Sequence, residues 1–531
     1  MEHEPSRRSF IAVVGAAAAA TALAPAKTTA APDQLGPAYR TAGELLPALT
    51  GRQVSSRELV DSAIAHIEAL DPKINAVVVR DFDRARAAAD AADAALARGE
   101  RHPLLGLPMT VKEAFNVAGL PTTWGHLKFK DWRPDADALA VQRLKAAGAI
   151  ILGKTNVPVD LGDWQSYNEV YATTNNPWDF GRSPGGSSGG AAAALAVGFV
   201  PLELGSDIGG SLRAPAHFCG VFSHKPSIDL VPLRGAGPPQ TPAMPGRVDF
   251  AVAGPMNRSA TDLALALAVL AGPDELSDGI GYKLALPPPR HDRLGDFRVL
   301  SIDEHPLCPT SASVSAALDG LADRLAKLGC TVLRTSAKMP DLALTTRNYV
   351  ELLSAFFSAD LAPDDRLRVE AAAQALSPDD LSIAAARLRG LTMTHASWIK
   401  TGRVRSGLRA RWRRCSRIST SCCARLCRPS PSRTTTPRRW GHASSTSTAR
   451  RCRTTTSSRG PASRPRMGCR RQPCRSRTPI AACRSACRSS ATTSTTTRRS
   501  PLPAFSSASS AVSARLQVFE PGHQLAPFAR R

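Results

Sequence analysis

The amino-acid sequence predicts an α/β domain, a central mixed but mostly parallel sheet flanked by helices, followed by a C-terminal tail that stays disordered. Three observations carry that prediction. Short apolar runs of strand length alternate with longer amphipathic segments from about residue 55 to about residue 335, the order expected of a sheet with crossover helices. Cysteine is sparse over the first 400 residues, where only Cys219, Cys308 and Cys330 occur, so this part is no disulfide scaffold. Charge is divided along the chain: residues 401–531 hold 29 Arg, no Lys and one acid, Glu520, whereas residues 1–400 hold 39 basic against 43 acidic residues.

The formal net charge of +24 therefore belongs to the tail. A nucleic-acid or anionic-surface partner, the usual implication of such a charge, attaches to 401–531 alone, and no nucleic-acid partner is expected of the mildly acidic body.

The N-terminal stretch MEHEPSRRSFIAVVGAAAAATALAPAKTTAAPDQ pairs Arg7 with Arg8, then runs apolar from Phe10 to about Leu23 and reaches the small residues Ala24, Pro25 and Ala26. This is the pattern of a twin-arginine signal peptide over residues 1–26; a buried N-terminal helix has no use for the arginine pair. The run is too short for a membrane span. The protein is expected to be exported already folded, to a periplasmic or extracellular location, with no stable membrane insertion after signal removal.

Residues 27–400 form the expected catalytic domain. SSRELVDSAIAHIEAL opens with Ser55 and Glu58 at capping-box spacing and sets Leu59, Ile64, Ile67 and Leu70 close to helical period. A strand is predicted from Ile74 to Val79, a helix from Arg84 to Arg98, and an apolar segment ending at Val111. A helix from Leu139 to Ala147 and a strand from Ala149 to Gly153 follow. Further on come a capped helix from Ser259 to Gly272, a strand from Phe297 to Ile302, a helix from Ser313 to Gly329 and the strand CTVLRT from Cys330.

Between these lies SPGGSSGGAAAALAVGFVPLELGSDIGGSLRAP, Ser183 to Pro215, with two glycine-flanked serine loops. A flexible Gly/Ser linker does not frame an apolar segment such as AAAALAVGFVPLEL. Gly185, Ser187 and Gly189 satisfy G-x-S-x-G, yet a nucleophile elbow needs a strand immediately before the serine and TTNNPWDFGRSP is turn-rich. No Gly-Lys-Ser/Thr follows, which argues against a phosphate loop. Lys112 ends an apolar, strand-like run, and a buried lysine needs a reason. His126, His217 and His224 carry no motif of a Ser-His-Asp triad, and Cys219 in AHFCGVF reads as a small core residue.

GLPMTVKEAFNVAGLPTTWG and TNNPWDFGRSPGGSSGGAAAALAVGFVPLELGSDIGGSLRAPAHFCGVFSHKPS together resemble the amidase signature family. The resemblance runs from about Arg52 through Gly272, more weakly to about residue 400, with its signature core near 103–260. It implies the amidase-signature fold, hydrolysis or transfer of carboxylic amides, and neither metal nor organic cofactor. By motif position it implies Ser211 as nucleophile, Ser187 as bridging serine after a cis peptide bond from Gly186, and Lys112 as base. The expected function is cleavage of the C–N bond of a linear, non-peptide amide through a serine acyl-enzyme, with a small-molecule amide and water as partners. An amidotransferase subunit that works on charged transfer RNA resembles the same family, and the export signal counts against it. A protein that binds nucleic acid or anionic surfaces through its basic tail, its hydrolase fold inactive, is the reading from another class.

The chemistry explains the residue types. A serine hydroxyl attacks an amide only as it loses its proton, and neutral Lys112 can draw a proton from Ser187 while Ser187 draws one from Ser211. The amine must then be neutral near pH 7, about three units below its reference value. Gly209 and Gly210 leave the backbone N–H groups of Ile208, Gly209, Gly210 and Ser211 unobstructed as an oxyanion hole, each donor worth about 3 kcal/mol. Asp207 and Arg213 are expected to pair as structural support for this turn.

The tail reads differently from any fold. RCSRISTSCCARLCRPSPSRTTTPRRW lacks acids and apolar period, and nine cysteines fall between Cys415 and Cys487 with only His442 and His523 beside them, which fits neither a zinc site nor an exported thiol-poor chain. A GC-rich gene read out of frame yields such an excess of Arg, Ser, Thr, Pro, Ala and Cys, so residues from about Arg413 to at least Ser510 are expected to be the amidase gene in a shifted frame.

Two outcomes follow. Residues 1–35 fused to a reporter that is active only when exported folded should carry it across the membrane, and replacing Arg7 and Arg8 together by Lys should stop this; unchanged export points to another route. Resequencing the coding DNA should restore, near codon 413, a frame encoding acids, few cysteines and alternating strands and helices; a confirmed frame in a fully active protein sinks that expectation.

Overall fold

The computed structural model describes residues 37–417 and the strand Ser421–Ala424, apart from positions 244, 245, 247 and 303. All of these belong to the first of the two units into which the chain divides. The stretch at 1–26 expected to be an export signal and the tail beyond residue 424 lie outside the described residues.

Helix α1 (Ala42–Thr50) leads to α2 (Ser56–Ile74), which opens on the capping box the sequence predicts: Ser55 Oγ accepts from Glu58 N at 3.1 Å and the Glu58 carboxylate accepts from Ser55 N at 2.8 Å. Leu59, Ile64 and Ile67 are buried along α2, while Leu70 is 37% exposed and leaves the predicted apolar stripe. The helix runs through Ile74 to a left-handed cap at Asn75, so β1 (Val77–Arg80) starts three residues later than expected.

Then follow α3 (Phe82–Ala97), β2 (Pro108–Lys112), α4 (Leu139–Ala146), β3 (Ile150–Thr155), the small pair β4 (Tyr167–Asn168) and β5 (Ala172–Thr173), α5 (Gly189–Ala196), β6 (Leu202–Asp207), α6 (Arg213–Cys219), β7 (Phe222–Ser223), β8 (Val252–Asn257) and α7 (Ala260–Leu270). The main sheet has the order β1-β3-β2-β6-β8-β7. Parallel pairing is confined to its centre, β3-β2-β6; β1 joins β3, β8 joins β6 and β7 joins β8 antiparallel. The sheet is thus mixed as predicted but not mostly parallel: only β3-β2 and β2-β6 pair parallel, because the strands that flank this centre return antiparallel to it. The central strands are buried throughout or nearly so, as strands covered on both faces must be.

Helix α5 explains why the first serine loop is part of the core. Its sequence GGAAAALA buries every residue from Gly189 to Leu195. Side chains this small let the helix lie against the sheet, and a Cβ on Gly190 would collide with the backbone of Asn156.

A second, three-stranded parallel sheet, β10-β9-β11, is built from β9 (Arg298–Ile302), β10 (Thr331–Leu333) and β11 (Ser421–Ala424), with α8 (Ala312–Lys327) between the first two. Helices α9 (Leu342–Phe357), α10 (Pro363–Gln374), α11 (Ile383–Leu391) and α12 (His395–Cys415) complete the described chain. Leu300, Ile302, Leu342 and Cys415 share a small core under Trp412. Helix α12 therefore crosses the boundary at residue 400 that composition suggests, and the described residues reach into the Arg-rich region to Arg417 and, in β11, from Ser421 to Ala424. Among the described residues no helix is long and apolar enough to cross a membrane.

Candidate active site

Parallel register between β2 and β6 sets Thr110 beside Glu203 and Val111 beside Leu204. Lys112, the last residue of β2, consequently ends beside the C-terminal end of β6, where the DIGGS turn begins. Its side chain is fully buried and its Nζ lies 2.6 Å from Ser187 Oγ and 2.9 Å from Ser206 Oγ. Burial pulls the Lys112 amine down from its usual 10.5 to about 7, against the opposing pull of Asp207, Glu203 and Glu113. An amine so shifted holds a substantial neutral fraction near neutral pH, and between two hydroxyls it can exchange a proton with either.

Ser187 follows a cis peptide bond from Gly186. Gly186 packs against the backbone of Asp163 and Gln165, leaving no room for a Cβ. The same segment holds the loop on both sides: Ser166 Oγ donates to Gly185 O at 3.2 Å and accepts from Gly189 N at 3.1 Å, and Ser183 Oγ donates to Trp164 O at 3.0 Å.

The second serine loop is organised around Asp207. Its carboxylate accepts from Gly210 N at 2.9 Å, Leu212 N at 3.1 Å, Arg213 Nε and Nη2 at 2.9 Å, and Lys225 Nζ at 2.9 Å. Burial raises this acid, but the charges of Arg213 and Lys225 outweigh it and hold the carboxyl well below the usual range. The expected Asp207–Arg213 brace is present, and Lys225 is a second cation that the sequence did not single out.

This bracing corrects one expectation. The Gly210 N–H is committed to Asp207, so it cannot also serve an oxyanion; among the described residues the N–H groups of Ile208, Gly209 and Ser211 have no acceptor. Ser211 itself is 5% exposed, and its carbonyl accepts from Ser188 N at 3.3 Å, tying the two serine loops together through the backbone. Its hydroxyl makes no hydrogen bond among the described residues. Lys112 and Ser187 are thus brought into contact, whereas Ser187 and Ser211 are neighbours without a bond between their hydroxyls. In apo sites catalytic hydrogen bonds often tighten only when substrate binds.

Three site residues escaped sequence reasoning besides Lys225. Ser206, one position before Asp207, could have been found from its place at the end of β6. Trp164, which donates from Nε1 to Gly209 O at 3.0 Å, and Tyr349, whose hydroxyl donates to Ile208 O at 3.0 Å, come from remote chain and carry no local signal. Glu203 is fully buried, accepts from Thr110 Oγ1 at 2.7 Å and is pushed by burial up to about 8, so it adds little negative charge below Lys112 at neutral pH. No strand precedes Ser187, so the nucleophile-elbow geometry is absent. His126 bonds Asp160 at 2.6 Å, and Cys219 is buried with its Sγ toward Pro184 O.

Comparison with known proteins gives this geometry a context. One subunit of the glutamyl-tRNA(Gln) amidotransferase of Anaeromyxobacter sp. (strain K) is 38% identical over 323 residues, covering 60% of this chain and 64% of the relative. AtzE, the 1-carboxybiuret hydrolase subunit from Pseudomonas sp. (strain ADP), is 43% identical over 238 residues, 44% of this chain and 50% of that protein. The chain thus spans less than two thirds of the length of either curated relative. A crystal structure of a bacterial aryl acylamidase of the amidase signature family superposes with a TM-score of 0.61 at 25% identity, covering 75% of this chain and 82% of the other. The family model for amidases matches residues 58–461, most of the chain, and the protein belongs to the amidase family.

Proposed function

We propose that this protein is an exported amidase that hydrolyses a linear, non-peptide amide, with Ser211 as nucleophile, Ser187 as proton bridge and Lys112 as base. The observation that carries the reading is the fully buried Lys112, its Nζ 2.6 Å from Ser187 Oγ and its amine drawn down by burial to about 7. In the proposed cycle neutral Lys112 takes the proton of Ser187 while Ser187 takes that of Ser211. Ser211 Oγ bonds the amide carbon, and the carbonyl π pair moves onto oxygen. That oxyanion is met by the N–H groups of Ile208, Gly209 and Ser211, each such donor worth about 3 kcal/mol. Collapse breaks the C–N bond, and the departing amine takes the proton back from Lys112 through Ser187. Water, activated by the same relay, then hydrolyses the acyl ester and restores Ser211.

A second reading, an amidotransferase subunit, is favoured by the similarity to the glutamyl-tRNA(Gln) amidotransferase protein. It uses the same acyl-enzyme and differs in where the released ammonia goes. The proposed signal peptide supports the hydrolase.

Purified protein offered a panel of simple aliphatic and aromatic amides should release ammonia without any second acceptor, and a fluorophosphonate should label Ser211. Ser211→Ala should abolish both. Labelling that moves to Ser187 and survives Ser211→Ala would reverse the assignment, and ammonia release that depends on charged transfer RNA would favour the amidotransferase.

The base makes an independent prediction. Burial draws the Lys112 amine down to about 7 in the folded protein, from the 10.5 of an exposed lysine, so between these pH values unfolding takes up a proton and this residue's destabilising effect fades as pH rises. The full difference is on the order of 5 kcal/mol. Lys112→Met should be inactive. Its stability advantage over the wild type in denaturant unfolding should be several kcal/mol larger at pH 7 than at pH 10.5. A pH-independent gap would mean that the folded protein keeps Lys112 charged.

A further inference from the structure

Along the nucleophile loop every carbonyl is held. Asp207 O accepts from Lys225 Nζ at 2.9 Å, Ile208 O from Tyr349 Oη at 3.0 Å, Gly209 O from Trp164 Nε1 at 3.0 Å, Gly210 O from Ala214 N at 2.7 Å and Ser211 O from Ser188 N at 3.3 Å. In a trans peptide the N–H points opposite to the C=O, so each held carbonyl aims the N–H that follows it. Two of the N–H groups so aimed, those of Gly210 and Leu212, end on Asp207. The three that remain without an acceptor among the described residues belong to Ile208, Gly209 and Ser211, behind the carbonyls held by Lys225, Tyr349 and Ala214.

Of these three holders Ala214 lies within α6 and Lys225 is fixed by Asp207 and by Phe250 O. Tyr349 alone comes from the C-terminal half, on α9. We infer that Tyr349 is a positioning residue of this amidase, its hydroxyl fixing the Ile208–Gly209 peptide so that the Gly209 N–H is aimed at the oxyanion. Its ring is set edge-on against Phe250, centroids 5.2 Å apart, and Arg405 of α12 lies over the Phe250 ring at 5.2 Å while pairing with Asp249 at 3.2 Å. Burial raises the phenol above its ordinary value, so the hydroxyl remains a proton donor across the working range. Arg213 and Asp207 are the charged groups that act on it.

The inference rests on the proposed roles of Ser211 and its neighbouring N–H groups. Tyr349→Phe keeps the ring and its seat on Phe250 and removes only the donor. It should lower kcat about tenfold, in keeping with one neutral hydrogen bond acting on a transition-state contact, with KM changed less than twofold because the oxyanion charge is absent from bound substrate. Affinity for an aldehyde analogue of the best amide in the panel, which forms a tetrahedral oxyanion adduct with Ser211, should fall by the same factor. Tyr349→Leu serves as the packing control: it should lose the same activity and, in addition, several degrees of melting temperature.

An unchanged kcat in Tyr349→Phe, a raised KM with kcat intact, or an activity loss confined to Tyr349→Leu would overturn the role. Fluorophosphonate labelling separates the two levels. Wild-type label found away from Ser211 breaks the underlying reading, whereas normal Ser211 labelling with unaltered kcat in Tyr349→Phe removes only the assignment of Tyr349.

Discussion

The site depends on keeping an amine out of water without a carboxylate to pair with. Among the described residues Lys112 has only hydroxyls as hydrogen-bond partners, Ser187 and Ser206, and its surroundings are arranged so that no strong anion restores the proton. Glu203, the nearest acid beneath it in the sheet, is itself desolvated toward the neutral form. Asp207 is ionised, but its charge is shared between Arg213 and Lys225. Because that desolvation has to be enforced by neighbours, the parallel centre of the sheet, the Gly/Ala-rich α5 and the braced DIGGS turn serve one requirement: dry walls around a single nitrogen.

Two further ionisable side chains, Glu113 and Lys154, are buried close to Lys112. Glu113, the residue after Lys112, accepts from the backbone N–H groups of Thr123 and Trp124, and Lys154 of β3 donates to Pro121 O and Thr122 Oγ1. Both side chains are fully buried. Burial pushes Glu113 up and Lys154 down, to about 8, while each charge opposes the other's shift. Buried charged groups are costly unless their hydrogen bonds are met; here they are met by residues 121–124, so the two side chains tie that strap to the end of β2 and to β3. Two lysines with lowered pKa thus sit on adjacent strands with opposite uses, one bonded to hydroxyls and one to a loop.

Sequence legibility followed locality. Lys112, Ser187 and Ser211 could be named because glycine-flanked loops and a charged residue at the end of an apolar run are short-range anomalies, and Asp207 with Arg213 because six residues span one turn. Lys225, Trp164 and Tyr349 were invisible because each reaches the site only through tertiary approach. The parallel majority failed at the sheet edges for the same reason: β1 meets β3 and β6 meets β8 across long connections that carry no hairpin signal. The Arg-rich composition past residue 400 concealed α12, although arginine is a good helix former and Leu408 and Cys415, two turns apart, supply its buried face.

Helix α5 has a consequence for motion. A helix with no exposed side from Gly189 to Leu195 gives its backbone no route to water short of dismantling the main core, so its amides belong to the slowest-exchanging class of the molecule. Ser187 stands two residues before it and inherits that stillness. Breathing that admits a substrate or releases a product must then fall to the periphery. Among the peripheral elements α9 touches the nucleophile loop directly, through Tyr349, so opening on that side would slacken one peptide of the loop while the proton relay stayed seated. Such an enzyme would separate the clock of its gate from the alignment of its base.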